Sequence, residues 1–162
     1  TRAADKITRM AGTWFNQNEF TVIVVIDYSS PTVGQTPYIY AIEEGFGNRI
    51  SLIKNNIGGD AKLYLESRKS DNASYSGTQD TPPESSVSKL AIVYTKNEIR
   101  FFKNGIKQLS VTSDIPTFTA NAIESLGRKP DSTTNTLDDG IIECRRLPFA
   151  VTDALAEAMT AL

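Results

Sequence analysis

Hydrophobic residues recur mostly at every second position of this chain, in short runs that polar turns separate. A period of two places successive side chains on opposite faces of a β-strand, so each run predicts a strand. The run 20–27 (FTVIVVID) is instead almost continuously apolar, which is typical of a strand buried on both faces. The predicted strands are 20–27, 38–42, 49–54, 61–68, 89–95, 98–103, 106–111, 122–126 and 140–146.

Two short turns, Lys96-Asn97 and Asn104-Gly105, join the three strands between 89 and 111. Asn-Gly between two strands favours a type I′ turn, because both central residues must adopt positive φ. We therefore predict an antiparallel three-stranded meander in this part of the chain.

After Pro148 the spacing of hydrophobic residues changes to that of a helix. Thr152 is a suitable N-cap, and Asp153 follows in the first turn, where the helix dipole favours negative charge. The side chains predicted to share the buried helix face are Val151, Leu155, Met159 and Leu162. The predicted fold class is all-β, a sandwich or jelly roll with one short C-terminal helix.

Three polar segments are longer than a plain sandwich needs: 28–37, 67–88 and 127–139. The segment 67–88 is rich in serine and is interrupted by Pro82-Pro83. Loops longer than about 12–15 residues in a compact domain are usually functional or disordered. We therefore predict that binding residues lie in these loops.

The composition excludes several kinds of catalytic and metal site. The 162 residues include no histidine and one cysteine, so a Ser-His-Asp triad, a Cys-His pair and an internal disulfide are impossible. The net charge is −2, from 17 Lys+Arg and 19 Asp+Glu, and it lacks the basic excess that drives nucleic-acid binding. Cys144 lies in an apolar run and is predicted to be a small buried hydrophobe.

The length fits one domain spanning 1–162. The longest apolar run, Val22 to Ile26, is far shorter than the roughly 18 residues of a membrane span, so no membrane insertion is expected. The chain does not begin with Met and its first residues lack the apolar core of a signal peptide. We therefore expect it to be part of a longer polypeptide.

Three segments resemble a known family. The segment 89–105 (KLAIVYTKNEIRFFKNG) resembles a hairpin of concanavalin A-like jelly rolls, the superfamily of laminin-G and pentraxin-like domains. The tail 137–162 (LDDGIIECRRLPFAVTDALAEAMTAL) is similar to the closing strand and helix of that group. The opening 1–27 (TRAADKITRMAGTWFNQNEFTVIVVID) is similar to jelly-roll domains of bacteriophage tail fibres and other virion proteins.

The resemblance implies a non-catalytic module of a phage tail fibre or virion protein, extracellular, that binds carbohydrate on the host cell surface. It also implies association with other subunits of a fibre, with a homotrimer as one arrangement. One alternative is a structural decoration or trimerisation domain without a ligand, and a remote one is a glycoside hydrolase. No enzyme activity is predicted.

The hydrolases of this superfamily carry a Glu-x-Asp-x-x-Glu strand, which the sequence lacks. Its adjacent acidic pairs are Glu43-Glu44 and Asp138-Asp139. Within a strand, the two members of such a pair point to opposite sides. That does not suit the roughly 5 Å between the carboxyl groups of a retaining enzyme.

Sugar recognition needs an aromatic surface beside polar groups that bind hydroxyls. Tyr75 stands alone among polar residues of the segment 67–88 and is the leading candidate, although it could equally fold back over the edge of the sandwich. Tyr28 opens a second loop, and the charged residues at 128–131 could contact acidic or hydroxylated sugars. The predicted carbohydrate-binding residues are Tyr75, Asn72, Asp71, Gln79, Tyr28, Arg128 and Asp131.

No cofactor is predicted. Calcium, frequent in this fold, is the alternative, since loop oxygens are available at Asp71, Asn72, Asp80 and Asp131. No Asp-x-Asp-x-Asp-Gly spacing is present, so the sequence names no binding loop for it.

Two aromatic pairs have structural interpretations. Trp14-Phe15 comes just before a buried strand and is predicted to close the core. Phe101-Phe102 projects to both sides of its strand, so either both sides are buried or one ring meets another subunit.

Overall fold

Two antiparallel β-sheets pack face to face, and one short helix follows the last strand. The computed structural model describes residues 7–10, 15–27, 36–45, 47–55, 62–70, 72–77, 87–127 and 140–162. Its elements are β1 (Ile7–Met10), β2 (Glu19–Asp27), β3 (Tyr38–Glu44), β4 (Asn48–Asn55), β5 (Lys62–Lys69), β6 (Asn72–Gly77), β7 (Val87–Thr95), β8 (Glu98–Lys103), β9 (Ile106–Val111), β10 (Ile123–Leu126), β11 (Gly140–Leu147) and α1 (Asp153–Thr160).

The six-stranded sheet has the order β1-β10-β3-β4-β5-β6, and the five-stranded sheet has the order β11-β2-β7-β8-β9. The predicted all-β sandwich with a C-terminal helix is confirmed, and the predicted strands agree with the observed ones to within two residues at each end. The three-stranded meander is β7-β8-β9. Its Asn-Gly turn has positive φ at both residues, 49° at Asn104 and 79° at Gly105, as predicted.

The main hydrophobic core lies between the two sheets, because alternate side chains of the inner strands point towards the opposite sheet. Phe20 stacks on Tyr94 with 4.7 Å between ring centroids. Phe15 packs against Phe20 and Phe118, which confirms its predicted core role, while Trp14 lies outside the described residues. Cys144 is half-buried against the same core, as a small hydrophobe would be.

A second hydrophobic cluster lies on the other side of the five-stranded sheet, where α1 packs on β7, β8 and β9. Phe101 is fully buried in the main core, and Phe102 is fully buried in this second cluster. The alternative in which one ring meets another subunit is therefore wrong. The chain's own helix and the segment before it cover Phe102.

The buried face of α1 differs from the predicted one. Thr152 caps the helix by accepting a hydrogen bond from Leu155 N, as predicted. Leu155 and Leu162, however, are 46% and 73% exposed, whereas Ala156 and Thr160 are buried. Small residues face the sheet because the helix lies close to it, and the Thr160 hydroxyl accepts from Gly105 N at 3.1 Å.

Two strands were not predicted, β1 and β6. Residues 72–77 were expected to belong to a long loop, but they form β6, an edge strand paired with β5. The turn between β5 and β6 begins at Ser70, which has a φ of 48°. The sequence NASYSG lacks the apolar alternation that predicts a strand, and the strand is recognised from its backbone pairing with β5.

Within the residues described, no helix has the length and hydrophobicity that crossing a membrane requires.

Candidate binding face

The structure places two of the seven predicted binding residues, Asn72 and Tyr75, in the edge strand β6. The register pairs Tyr75 with Glu66 and Asn72 with Lys69 of β5. The prediction that they lie in a loop is therefore wrong. Their predicted role in binding carbohydrate stays a prediction. The other five, which lie outside the described residues, are Asp71, Gln79, Tyr28, Arg128 and Asp131.

The face of the six-stranded sheet that is turned away from the main core is here called the outer face. Leu63 and Leu65 of β5 point into the main core, so Tyr64 and Glu66 between and beyond them lie on the outer face. Residues paired directly across antiparallel strands share a face, so Ser51, the partner of Glu66 in β4, lies on the outer face too.

The outer face is ordered in three rows that cross the strands. Among the described side chains, the central row contains Ser125, Ala41, Ser51 and Glu66. The charged row on one side of it contains Ile123, Glu43, Arg49 and Arg68. The aromatic row on the other side contains Tyr38, Ile53 and Tyr64. The short side chains of Ser125, Ala41 and Ser51 thus lie between a row with three charged residues and a row with two tyrosines.

A β-bulge in β3 makes the aromatic row possible. The register of β3 on β4 shifts between Tyr38 and Tyr40, so the extra residue Ile39 breaks the alternation. Tyr40 then packs in the main core, whereas Tyr38 packs with Ala41 and Ile53 on the outer face. Without the bulge, two tyrosines two positions apart would lie on the same side of the strand.

A buried ion-pair network holds the charged row to the central row. Arg49 donates two hydrogen bonds to Glu66, from Nε to Oε2 at 3.0 Å and from a terminal nitrogen to Oε1 at 2.8 Å. The Arg49 guanidinium also lies 3.5 Å from a carboxylate oxygen of Glu43. Burial alone would lower the pKa of Arg49, but the hydrogen bonds and charge of Glu66 outweigh it, so the pKa is raised. Arg49 is therefore fixed in position with its charge neutralised.

Within the described part of the chain, two buried polar atoms of this face have no hydrogen-bond partner, the Ser51 hydroxyl and the Arg68 Nε. Ser51 itself is fully buried in the centre of the sheet. Buried polar groups are nearly always hydrogen-bonded, so each exception needs an explanation. Among the described side chains of this face, Tyr64, Arg68 and Glu43 are half-buried and Ile123 is 38% exposed.

The sequence alone did not identify Arg49, Ser51, Glu66 or Arg68 as site residues. In the sequence, these residues form the second face of the alternating runs 49–54 and 61–68. That face is mostly polar or charged, whereas the first face is mostly apolar. The pattern identifies a site only once the strand register is known, because Arg49 and Glu66 meet across a strand pair.

The acidic pairs considered for catalysis do not form a reactive pair in the described residues. Glu43 points to Arg49, and Glu44 accepts hydrogen bonds from the backbone and hydroxyl of Thr119, so the two diverge as predicted. Asp138-Asp139 lies outside the described residues.

In the described part of the chain, no three carboxylate or thiol groups are close enough together to hold a metal ion. Of the four residues considered for calcium, Asn72 lies in β6, and the rest, Asp71, Asp80 and Asp131, are outside the described part. The calcium alternative therefore stays a prediction.

A small cavity of about 140 Å³ lies on the other side of the molecule, between the five-stranded sheet and α1. Its polar side chains already have partners. Glu143 pairs with Arg145, and Lys89 donates to the carbonyl of Ala161 at 2.7 Å. The outer face is thus the better candidate site, because two of its buried polar atoms lack partners among the described residues.

No family model and no curated protein matches this sequence. Solved structures match its fold. A heptameric SAP-like pentraxin from Limulus polyphemus has a TM-score of 0.72 at 12% identity, and the match covers 99% of this chain and 78% of that chain. Domain 4 of AbnA, a GH43 extracellular arabinanase from Geobacillus stearothermophilus solved with arabinotriose, has a TM-score of 0.70 at 20% identity, covering 90% and 68%.

The CBM40 of the Ruminococcus gnavus IT-sialidase, solved with α2,3-sialyllactose, has a TM-score of 0.69 at 12% identity, covering 90% of this chain and 84% of that chain. The fold is therefore the lectin-type jelly-roll β-sandwich shared by concanavalin A-like, laminin-G and pentraxin domains, as the sequence predicts.

Proposed function

We propose that this chain is a non-catalytic carbohydrate-binding module and that it holds its ligand on the outer face. The observation that carries the proposal is the combination, on one face, of the half-buried ring of Tyr64, the half-buried guanidinium of Arg68 and the Arg49–Glu66 ion pair that fixes the side chains between them. The arabinanase domain and the CBM40 that share its fold were each solved with an oligosaccharide, which supports this class of ligand.

The composition of the face fits a sugar better than a wholly apolar or wholly charged ligand. A pyranose presents C–H groups on one side and hydroxyls around its edge, so it needs a ring surface beside hydrogen-bonding groups. Tyr64 offers the reachable ring, and the half-buried guanidinium of Arg68 offers N–H donors for hydroxyl oxygens. The Arg49–Glu66 ion pair beside them is already formed and needs no reordering on binding.

The module is tested by titrating the purified domain with a panel of oligosaccharides, with and without calcium, while following NMR shifts. We expect saturable binding that perturbs the outer face. Tyr64→Ala should weaken it at least tenfold, because stacking is lost. Phe149→Ala is the matched control, since this exposed ring lies away from the face and should leave affinity unchanged.

Binding that survives Tyr64→Ala, or that weakens equally with Phe149→Ala, would contradict the assignment to the outer face. New reducing ends in the same samples would contradict the proposed lack of catalysis.

We propose further that the ligand is a host cell-surface glycan and that the module belongs to a phage tail fibre or virion protein outside the cell. The similarity of residues 1–27 to virion jelly rolls supports this origin. Weak sites repeated around a fibre, as in a homotrimer, would gain avidity from their high effective concentration. A trimeric fusion should therefore retain bacterial cells that the monomeric domain releases on washing.

The second candidate is a structural unit of a fibre without a ligand. Its expected signature is a tight trimer in solution that binds no oligosaccharide and no bacterial envelope fraction.

A further inference from the structure

We infer that the ligand of the outer face carries a carboxylate and that Arg68 is its partner, which makes the substrate class an acidic sugar. This inference rests on the proposed function and adds the chemical class of the ligand. The two arginines of the charged row differ: Arg49 is ion-paired, whereas Arg68 has no ion pair among the described residues.

Arg49 and Arg68 are directly paired across β4 and β5. Like charges placed directly opposite each other destabilise a sheet unless counter-charges lie nearby. The two described carboxylates near this pair both contact Arg49, Glu66 through two hydrogen bonds and Glu43 through an ion pair at 3.5 Å. Arg68 has no ion pair within the described residues.

The Arg68 guanidinium is also placed to receive a ligand. Its Nε has no hydrogen-bond partner among the described residues, and the side chain as a whole is only half-buried, so solvent reaches part of it. A guanidinium in this state offers a planar fork of N–H donors, for which a carboxylate is the best-matched acceptor.

Tyr64 supplies the second contact. It lies four residues before Arg68 in β5 and on the same face, so the two positions are roughly 13 Å apart along the strand. Both side chains are half-buried and can be reached from solvent. One oligosaccharide can therefore accept from Arg68 with its carboxylate while another of its sugar rings packs on Tyr64.

The test compares acidic oligosaccharides with the same molecules after carboxyl reduction, which turns the carboxylate into a primary alcohol and changes nothing else. The probes are trigalacturonate and sialyllactose, each in both forms, titrated into the intact domain by calorimetry and NMR. We expect at least one acid to bind tenfold or more tightly than its reduced form. That preference should shrink as salt is raised.

Arg68→Gln should abolish the preference while leaving the affinity for the reduced form unchanged, and Arg68→Lys should restore part of it. The matched control is Arg145→Gln, an exposed arginine on the other sheet, which should keep the full preference. An unchanged melting temperature of Arg68→Gln shows that the variant folds.

Equal affinity for both forms of both sugars, or a preference that survives Arg68→Gln, would overturn the inference and leave the proposed function standing. Binding of neutral oligosaccharides alone would do the same. If no oligosaccharide, acidic or neutral, perturbs the outer face, the proposed function itself fails and the inference fails with it.

Discussion

Among the described residues of the outer face, Arg49 stands out because it contacts two carboxylates, those of Glu66 and Glu43. Its guanidinium is buried, and its two hydrogen bonds to the fully buried Glu66 replace the water that both groups lose on folding. Such a pair adds little net stability compared with apolar side chains, but removing one partner leaves an uncompensated charge. Its value here is that it fixes two polar groups at known positions.

Arg49→Met should therefore lower the free energy of unfolding by about 3–5 kcal/mol, because Glu66 is left buried without its counter-ion. Urea denaturation of the wild type and the variant measures the difference. Arg49→Met combined with Glu66→Leu is the control, and it should recover most of the loss. A double variant as unstable as the single one would show that packing, rather than the stranded charge, is responsible.

At the scale of elements, ion pairs fasten the first turn of α1 to the meander. Asp153 pairs with Arg100 of β8 and with Lys107 of β9, the latter at 3.0 Å, and Arg100 also donates to the carbonyl of Val151. The hydrogen bond from Lys107 is the largest influence on the pKa of Asp153 and lowers it; desolvation opposes this, and the hydrogen bond and charge of Arg100 lower the pKa further. The helix thereby keeps Phe102 covered.

Asp153→Asn should cost about 1 kcal/mol of unfolding free energy at neutral pH, since it removes these pairs and a favourable charge at the helix N-terminus. Because folding lowers the pKa, the contribution is present above the unfolded value of 3.8 and is lost as the pH falls through the folded value. Urea unfolding at pH 7 and at pH 2.5 checks this.

Glu157→Gln, one turn further along α1, is the matched control and should change little at either pH. If Asp153→Asn lowers the free energy of unfolding by the same amount at both pH values, the charge of the carboxylate is not the source of the loss.

The elements also show which features local sequence can predict. Strands with apolar alternation, the Asn104-Gly105 turn and the Thr152 cap were predicted because each depends on neighbouring residues. The strand β6 was not predicted, because its residues show no apolar alternation and the strand depends on pairing with β5. The buried helix face was predicted only in part, because the closeness of α1 to the sheet selects Ala156 and Thr160 over Leu155.

The candidate site was harder to predict than the fold. Tyr75 was chosen for its isolation among polar residues of a predicted loop, yet the structure pairs it with Glu66 in the edge strand β6. The bulge that separates Tyr38 from Tyr40 leaves no mark in the sequence, and the pairing of Arg49 with Glu66 joins strands that are adjacent only after folding.

On the scale of the whole molecule, the two sheets are joined by one continuous core and by a buried ion pair across it. Arg146 of β11 donates to Glu124 of β10, so the pair links an edge strand of one sheet to an inner strand of the other. Burial acts to lower the pKa of Arg146, but the hydrogen bond to Glu124 prevails and the pKa is raised. Tyr40 lies close by, and its pKa is raised by burial and by the charge of Glu124.

Glu124→Gln should lower the free energy of unfolding by about 3 kcal/mol, because the half-buried Arg146 loses its counter-charge. Since the core is shared, unfolding should remain one transition, with circular dichroism and fluorescence midpoints that coincide. Glu143→Gln on β11 is the control, because its partner Arg145 is 64% exposed and the pair should contribute less than about 1 kcal/mol.

Separate midpoints for the two probes would show that the sheets unfold independently. A small effect of Glu124→Gln would show that the cross-sheet pair is dispensable.

The three rows of the outer face also make this sandwich suitable for diversification. Each strand gives alternate residues to the core and to the outer face, so Tyr64, Arg68 and Glu43 can be exchanged without altering any side chain of the main core. A library randomised at these reachable positions would vary ligand preference on a constant scaffold. Selection acting on such a face can change what is bound much faster than it changes the fold.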